Sequence, residues 1–127
     1  MYLPAWLNGA PVALDFAVAS PQRHEVLRQA SLQVGHAASN YEEYKRRYKN
    51  TEEDCIRQGF GFQPMVAEPS GGWSPGAVAV WQQIARMESL RTGQPAAQIA
   101  ELSFQRLSIV IRRACADAVL RRSQDRP

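Results

Sequence analysis

The sequence predicts an α/β fold of the α+β kind: a small mixed sheet begun by an N-terminal hairpin, with about four helices after it. Three observations carry this. Strand-like patterns are confined to the N-terminal stretch and to one later run, "FGFQPMVAEP". Two Ser-Pro pairs, Ser20-Pro21 and Ser74-Pro75, read as helix starts, with Ser as N-cap and Pro in the first helical position. The C-terminal half repeats apolar residues at helical spacing. A chain of 127 residues, 45% hydrophobic and 21% charged, reads as one domain over 1–122 with a frayed tail at 123–127.

The hairpin comes from "YLPAWL" and "PVALDFAVA" on either side of Asn8-Gly9, a pair that tolerates positive φ and favours a two-residue turn. Pro4 and Pro11 suggest that the first strand lies near a sheet edge or has irregular ends. In the second strand Val12, Leu14, Phe16 and Val18 fall on one face, and Asp15 sits between Ala13 and Ala17 on the other. A helix is expected from Pro21 to about Gln33, and a second from Ser39 or Asn40 to about Gln58, closed by Gly59. The third strand carries Pro64, which demotes its middle. Helix three should span about Pro75 to Arg91, with Val80, Trp81, Ile84 and Met87 on one face. The last helix should run from about Ala96 to Arg122, with Phe104, Leu107, Ile111, Ala114 and Ala118 as its stripe.

Several function classes find no support. No run reaches the roughly 18 apolar residues of a membrane span, and no basic segment precedes an apolar one, so a soluble, intracellular protein is expected. Cys55 and Cys115 lack CxxC spacing and read as reduced thiols. His24 and His36 have no ligand partner at zinc spacing. "SGGW" lacks the Lys-Ser/Thr of a phosphate loop, and no serine sits in a nucleophile elbow. No small-molecule cofactor is implied. A net charge of +3 permits a polyanionic partner without requiring one.

Two places stand out. Asp15 interrupts an apolar strand, where an ionised carboxylate is costly unless paired or coordinated. On the second helix Tyr41, Lys45 and Tyr48 share a face, while Glu42 can pair with Arg46 and Glu43 with Arg47. The plain reading is a salt-bridged helix with its tyrosines turned inward; Lys45 then either snorkels or points to Asp15. Glu68 closes the third strand as a solvated turn residue or a site residue. Arg106, Arg112 and Arg113, with Arg121 and Arg122, give the last helix a basic side, either a solubilising face or a phosphate contact.

The order of pieces adds a resemblance. "YLPAWLNGAPVALDFAVASP", a helix holding Lys45, "GFGFQPMVAEPSGGWSP" and "AELSFQRLSIVIRRACADAVLRR" together resemble the restriction-like endonuclease domain at the C-terminus of non-LTR retrotransposon proteins, a variant of the PD-(D/E)XK nuclease fold. The resemblance covers nearly the whole chain. It implies Mg²⁺-dependent cleavage of DNA phosphodiesters, nuclear if functional, with Asp15 as the metal ligand and Lys45 supplied by the helix in place of the strand lysine, where this chain has Ala17. Tyr48 and Glu68 are the further site positions it implies, and Arg46, Arg106, Arg112 and Arg113 the expected DNA contacts. The family's first acidic residue would fall just before Met1, so on this resemblance the chain is truncated at its N-terminus and impaired in cleavage. The alternative is a non-catalytic nucleic-acid-binding or structural module. A ligand Asp15 predicts that Asn in its place leaves the metal-free fold at least as stable, and a structural Asp15 predicts a loss.

Overall fold

The computed structural model describes residues 1–126. Its three-stranded sheet has the order β1–β2–β3, formed by Tyr2–Leu3, Val12–Val18 and Gly61–Ala67. β2 pairs antiparallel with β1 and parallel with β3, so the sheet is mixed. Helices α1 (Leu27–Ala30), α2 (His36–Arg47) and α3 (Thr51–Arg57) make the crossover between β2 and β3. Two longer helices follow, α4 (Pro75–Thr92) and α5 (Ala96–Gln124). The chain clusters into two compact units where the sequence reads as one domain: Met1–Glu68 with Gly72–Ala79, and Pro69–Gly71 with Val80–Pro127.

Within the first unit the Asn8-Gly9 turn is present, with φ of 56° and 74°, and Ala10 N donates to Leu7 O at 3.1 Å. The strands do not run into it. Pairing stops at Leu3↔Val12, because the next pair in register is Pro4 and Pro11 and neither has an N–H to donate. The hairpin is therefore a two-pair ladder closed by a wide loop.

Pro64 proves compatible with an unbroken strand for a related reason. Gly61 N donates to Pro11 O and Ala67 O accepts from Ala19 N, so these positions bond towards β2 and Phe62, Pro64 and Val66 point to the outer edge. A proline costs nothing where its nitrogen faces outward. Side chains and the following turn cover that edge: Arg46 donates to Phe62 O (3.3 Å), the Gln63 amide to Pro64 O (2.7 Å), and Ser74 N to Val66 O (2.8 Å). Ser74 Oγ also accepts from Val66 N at 3.3 Å. Val66 packs with Ala19, Ala38 and Tyr41 in the buried cluster beneath α2.

Three helix expectations change. The Pro21–Gln33 helix shrinks to the single turn α1; Ser20 Oγ does accept from Gln22 N at 3.2 Å, but only Val26 is buried, while Leu27, Leu32 and Val34 are exposed. A short helix with one buried anchor lacks the packing that sustains it. The second helix starts earlier, at His36, and breaks at Tyr48–Asn50, where Lys49 and Asn50 turn left-handed (φ 50° and 57°). Glu52, Glu53 and Asp54 then favour a fresh N-terminus for α3, which ends at Arg57, with Gly59 left-handed (φ 89°) two residues further on. On β2, Val12 and Leu14 are buried but Phe16 and Val18 are exposed, so the apolar face is only half covered.

In the second unit α5 has no buried residue; Phe104, Leu107 and Ile111 are half-buried, and Ala114 and Ala118 are exposed. On the part of α4 in this unit Val80 and Ala85 are buried, and Ile84 and Met87 are exposed rather than facing inward; Ala77, in the first unit, is also buried. The helix α5 continues two residues past Arg122, so the expected tail is shorter, and Pro127 lies outside the described residues. Cys55 and Cys115 are both free thiols. No helix among the described residues is long and apolar enough to cross a membrane.

Candidate functional site

Asp15 lies at the middle of β2, opposite Pro64 of β3, and its side chain leaves the sheet on the side of α2. Lys45 occupies the last turn of α2. The two meet: Lys45 Nζ donates to Asp15 Oδ2 at 2.5 Å. Small neighbours, Ala13 and Ala17, leave the carboxylate room to be reached. The Asp15 side chain is 44% exposed and that of Lys45 only 18%, so the ammonium is the more enclosed partner. The Tyr41 ring lies against it, with Nζ 5.7 Å from its centroid. An ammonium has three donors, and Asp15 Oδ2 takes one. What remains is a partly open pair that can offer N–H groups to an anion.

Glu68 does different work at the opposite end of the same helix. It is 2% exposed, and its Oε1 accepts from Ala38 N at 3.1 Å. Gly35 at the N-cap has φ of 82° and no side chain with which to cap α2, so the carboxylate arriving from the end of β3 satisfies one of the orphan donors. Gly72 makes room for it, since a Cβ there would lie 2.7 Å from Glu68 Oε2. From Ala38 to Lys45 the helix rises about 10 Å, which separates Glu68 from the Asp15–Lys45 pair.

The remaining expected residues also take separate places. Arg46 turns to the edge of β3 and to α3: it pairs with Glu52, lies 3.6 Å from Glu42, and donates to Gln63 Oε1 at 3.1 Å and to Phe62 O. Its guanidinium is committed to holding α2, α3 and β3 together. The helical pairs read from spacing, Glu42–Arg46 and Glu43–Arg47, are both present. Tyr48 is half exposed and stacks on Tyr44, away from Asp15. Arg106, Arg112 and Arg113 are exposed on α5, and Arg112 donates to Ser70 O at 3.1 Å.

Tyr44, Lys49 and Arg23 were not singled out by sequence, yet they complete the outer face of α2. The tyrosines at 41, 44 and 48 form a continuous stack, with ring centroids 5.5 and 5.4 Å apart. Spacing of three and four was the available signal, and Tyr44 is the member it should have added. Arg23 lies 5.5 Å over Tyr41, and Lys49 lies 5.3 Å over Tyr48.

For a divalent cation Asp15 would be the protein's donor, with waters and substrate phosphates completing the shell. Mg²⁺ takes about six oxygen ligands, and Asp15 offers one carboxylate that already carries Lys45. No group of three or more His, Cys, Asp and Glu side chains able to share an ion occurs among the described residues. Thiol chemistry is disfavoured at Cys55. Burial, and then the neighbouring Asp54 and Glu52 charges, hold its pKa above the ordinary value, so little thiolate forms at neutral pH. Compared with protein-family models, curated proteins and solved structures, the chain matches none.

Proposed function

We propose that this chain is an endonuclease-like domain of the restriction-like, retroelement type that engages the DNA backbone at Asp15 and Lys45, and that it is impaired in Mg²⁺-dependent cleavage. One observation carries the reading. A strand carboxylate and a helix ammonium 30 residues apart in the chain converge within 2.5 Å, on the pair of positions that the motif order singles out. The mixed hairpin-and-crossover sheet is compatible with that family's architecture.

In this reading Lys45 donates to a phosphate oxygen and offsets its charge, while Asp15 holds the ammonium at the mouth of the site. The short donor set at Asp15 favours binding over cleavage. A duplex-binding titration across KCl concentrations, with and without millimolar Mg²⁺, tests it. Binding should be measurable at low salt and fall steeply as salt rises. Lys45→Ala should weaken binding and reduce the salt slope by about one, and plasmid nicking with Mg²⁺ should be weak or nil. Absence of binding at low salt, or an unchanged slope in Lys45→Ala, would reject the proposal.

A further inference from the structure

The outer face of α2 holds a feature that neither Asp15 nor Lys45 explains. Tyr44 and Tyr48 are 51% and 49% exposed, and they pack on each other and on Tyr41 rather than into the core. Rings tilted by 33–34° at these separations form a strip of aromatic side chains along the helix, half exposed at Tyr44 and Tyr48. Two adjoining hollows of about 450 and 480 Å³ run along it and share Asn40 and Tyr44. Cations attend both ends. Arg23 lies over Tyr41, and Lys49 lies over Tyr48 from a left-handed backbone conformation (φ 50°) that a non-glycine residue rarely adopts.

Flat aromatic faces alternating with cations suit a ligand that alternates flat aromatic units with anions. We infer that the Tyr41–Tyr44–Tyr48 strip is a stacking platform for the unpaired bases of single-stranded nucleic acid, with Lys49 holding the backbone. Every base has a π-face, so stacking needs no particular sequence. The charges also set a direction. Arg23 and Glu25 line the Tyr41 hollow together, and Glu43 pairs with Arg47 at 3.3 Å in the other, so Lys49 beside Tyr48 is the cation that draws a phosphate to that end. Lys45 links the strip to Asp15, because its ammonium touches both Tyr41 and the carboxylate. The inference deepens the DNA-binding proposal and shares its assumption of a nucleic-acid partner, but it requires no cleavage.

The test is fluorescence anisotropy with a labelled oligo-dT strand and, separately, a blunt duplex of equal length, in low salt with EDTA. The full chain should bind the strand. The double variant Tyr44→Ala/Tyr48→Ala should bind it about ten-fold or more weakly and keep its affinity for the duplex. Tyr44→Phe should bind the strand normally, and Tyr44→Leu, which keeps the bulk but not the ring, should be weakened. Because both tyrosines are half exposed, these variants should keep the circular dichroism of the parent. No strand binding at low salt, unaltered binding by the double variant, or normal binding by Tyr44→Leu would overturn the inference. So would saturable binding of a proline-rich peptide in place of the strand. Failure of the duplex to bind, with strand binding intact, would count against the nuclease-like reading alone.

Discussion

The two ends of α2 are built on opposite plans. At the N-terminal end Ala37 and Ala38 are fully buried, and the enclosed carboxylate of Glu68 holds a backbone N–H. At the C-terminal end the tyrosines are half exposed, Lys45 reaches a partly exposed Asp15, and the chain leaves through two left-handed residues. Both ends use a carboxylate from the sheet, but the same functional group performs different tasks. Burial makes Glu68 a clamp, since an orphan N–H in a dry site has no other acceptor. Exposure makes Asp15 exchangeable, since water or a phosphate can compete for Lys45. Anchoring one end firmly allows the other to stay open.

The largest expected effect lies at the clamp. Glu68→Ala strips a buried helix donor of its acceptor and should destabilise the protein by about 2–3 kcal/mol. Thermal melts followed by circular dichroism will show this, and Glu68→Gln, which keeps an acceptor oxygen, should recover much of it. A Glu68→Ala melt matching the parent would mean that the two carboxylates do not differ as described.

Asp15→Asn should cost far less, about 1 kcal/mol or below, because a pair with one partner 44% exposed is well screened. The ion pair supplies a contact that a free ligand carboxylate would lack, while its exposure keeps the loss below that of a buried pair. Melts of Asp15→Asn beside Glu68→Gln make the comparison directly. The smallest effect belongs to the exit from α2. Lys49→Gly relieves a left-handed backbone and should stabilise by about 0.5 kcal/mol, the strain released being partly offset by unfolded-state entropy. A loss of stability there would show that the Lys49–Tyr48 contact outweighs the strain.

The legible part of this molecule was whatever depends on near neighbours in the chain. Asn8-Gly9 turns because both residues tolerate positive φ, and Ser74-Pro75 opens α4 because proline suits the first helical position. The Glu42–Arg46 and Glu43–Arg47 pairs follow from helical spacing, and Asp15 was conspicuous because charge in an apolar strand demands a partner. Tertiary structure alone decided the rest. That Lys45 is the partner depends on how α2 lies across the sheet, and that Pro64 is harmless depends on β3 being an edge strand. Glu68 became a clamp through the docking of the β3 end against the start of α2, and Arg46 was drawn to Glu52 and the β3 edge instead of solvent. Spacing along a chain determines which side chains share a face. Which charges are desolvated, and by whom they are met, is fixed only when distant segments pack.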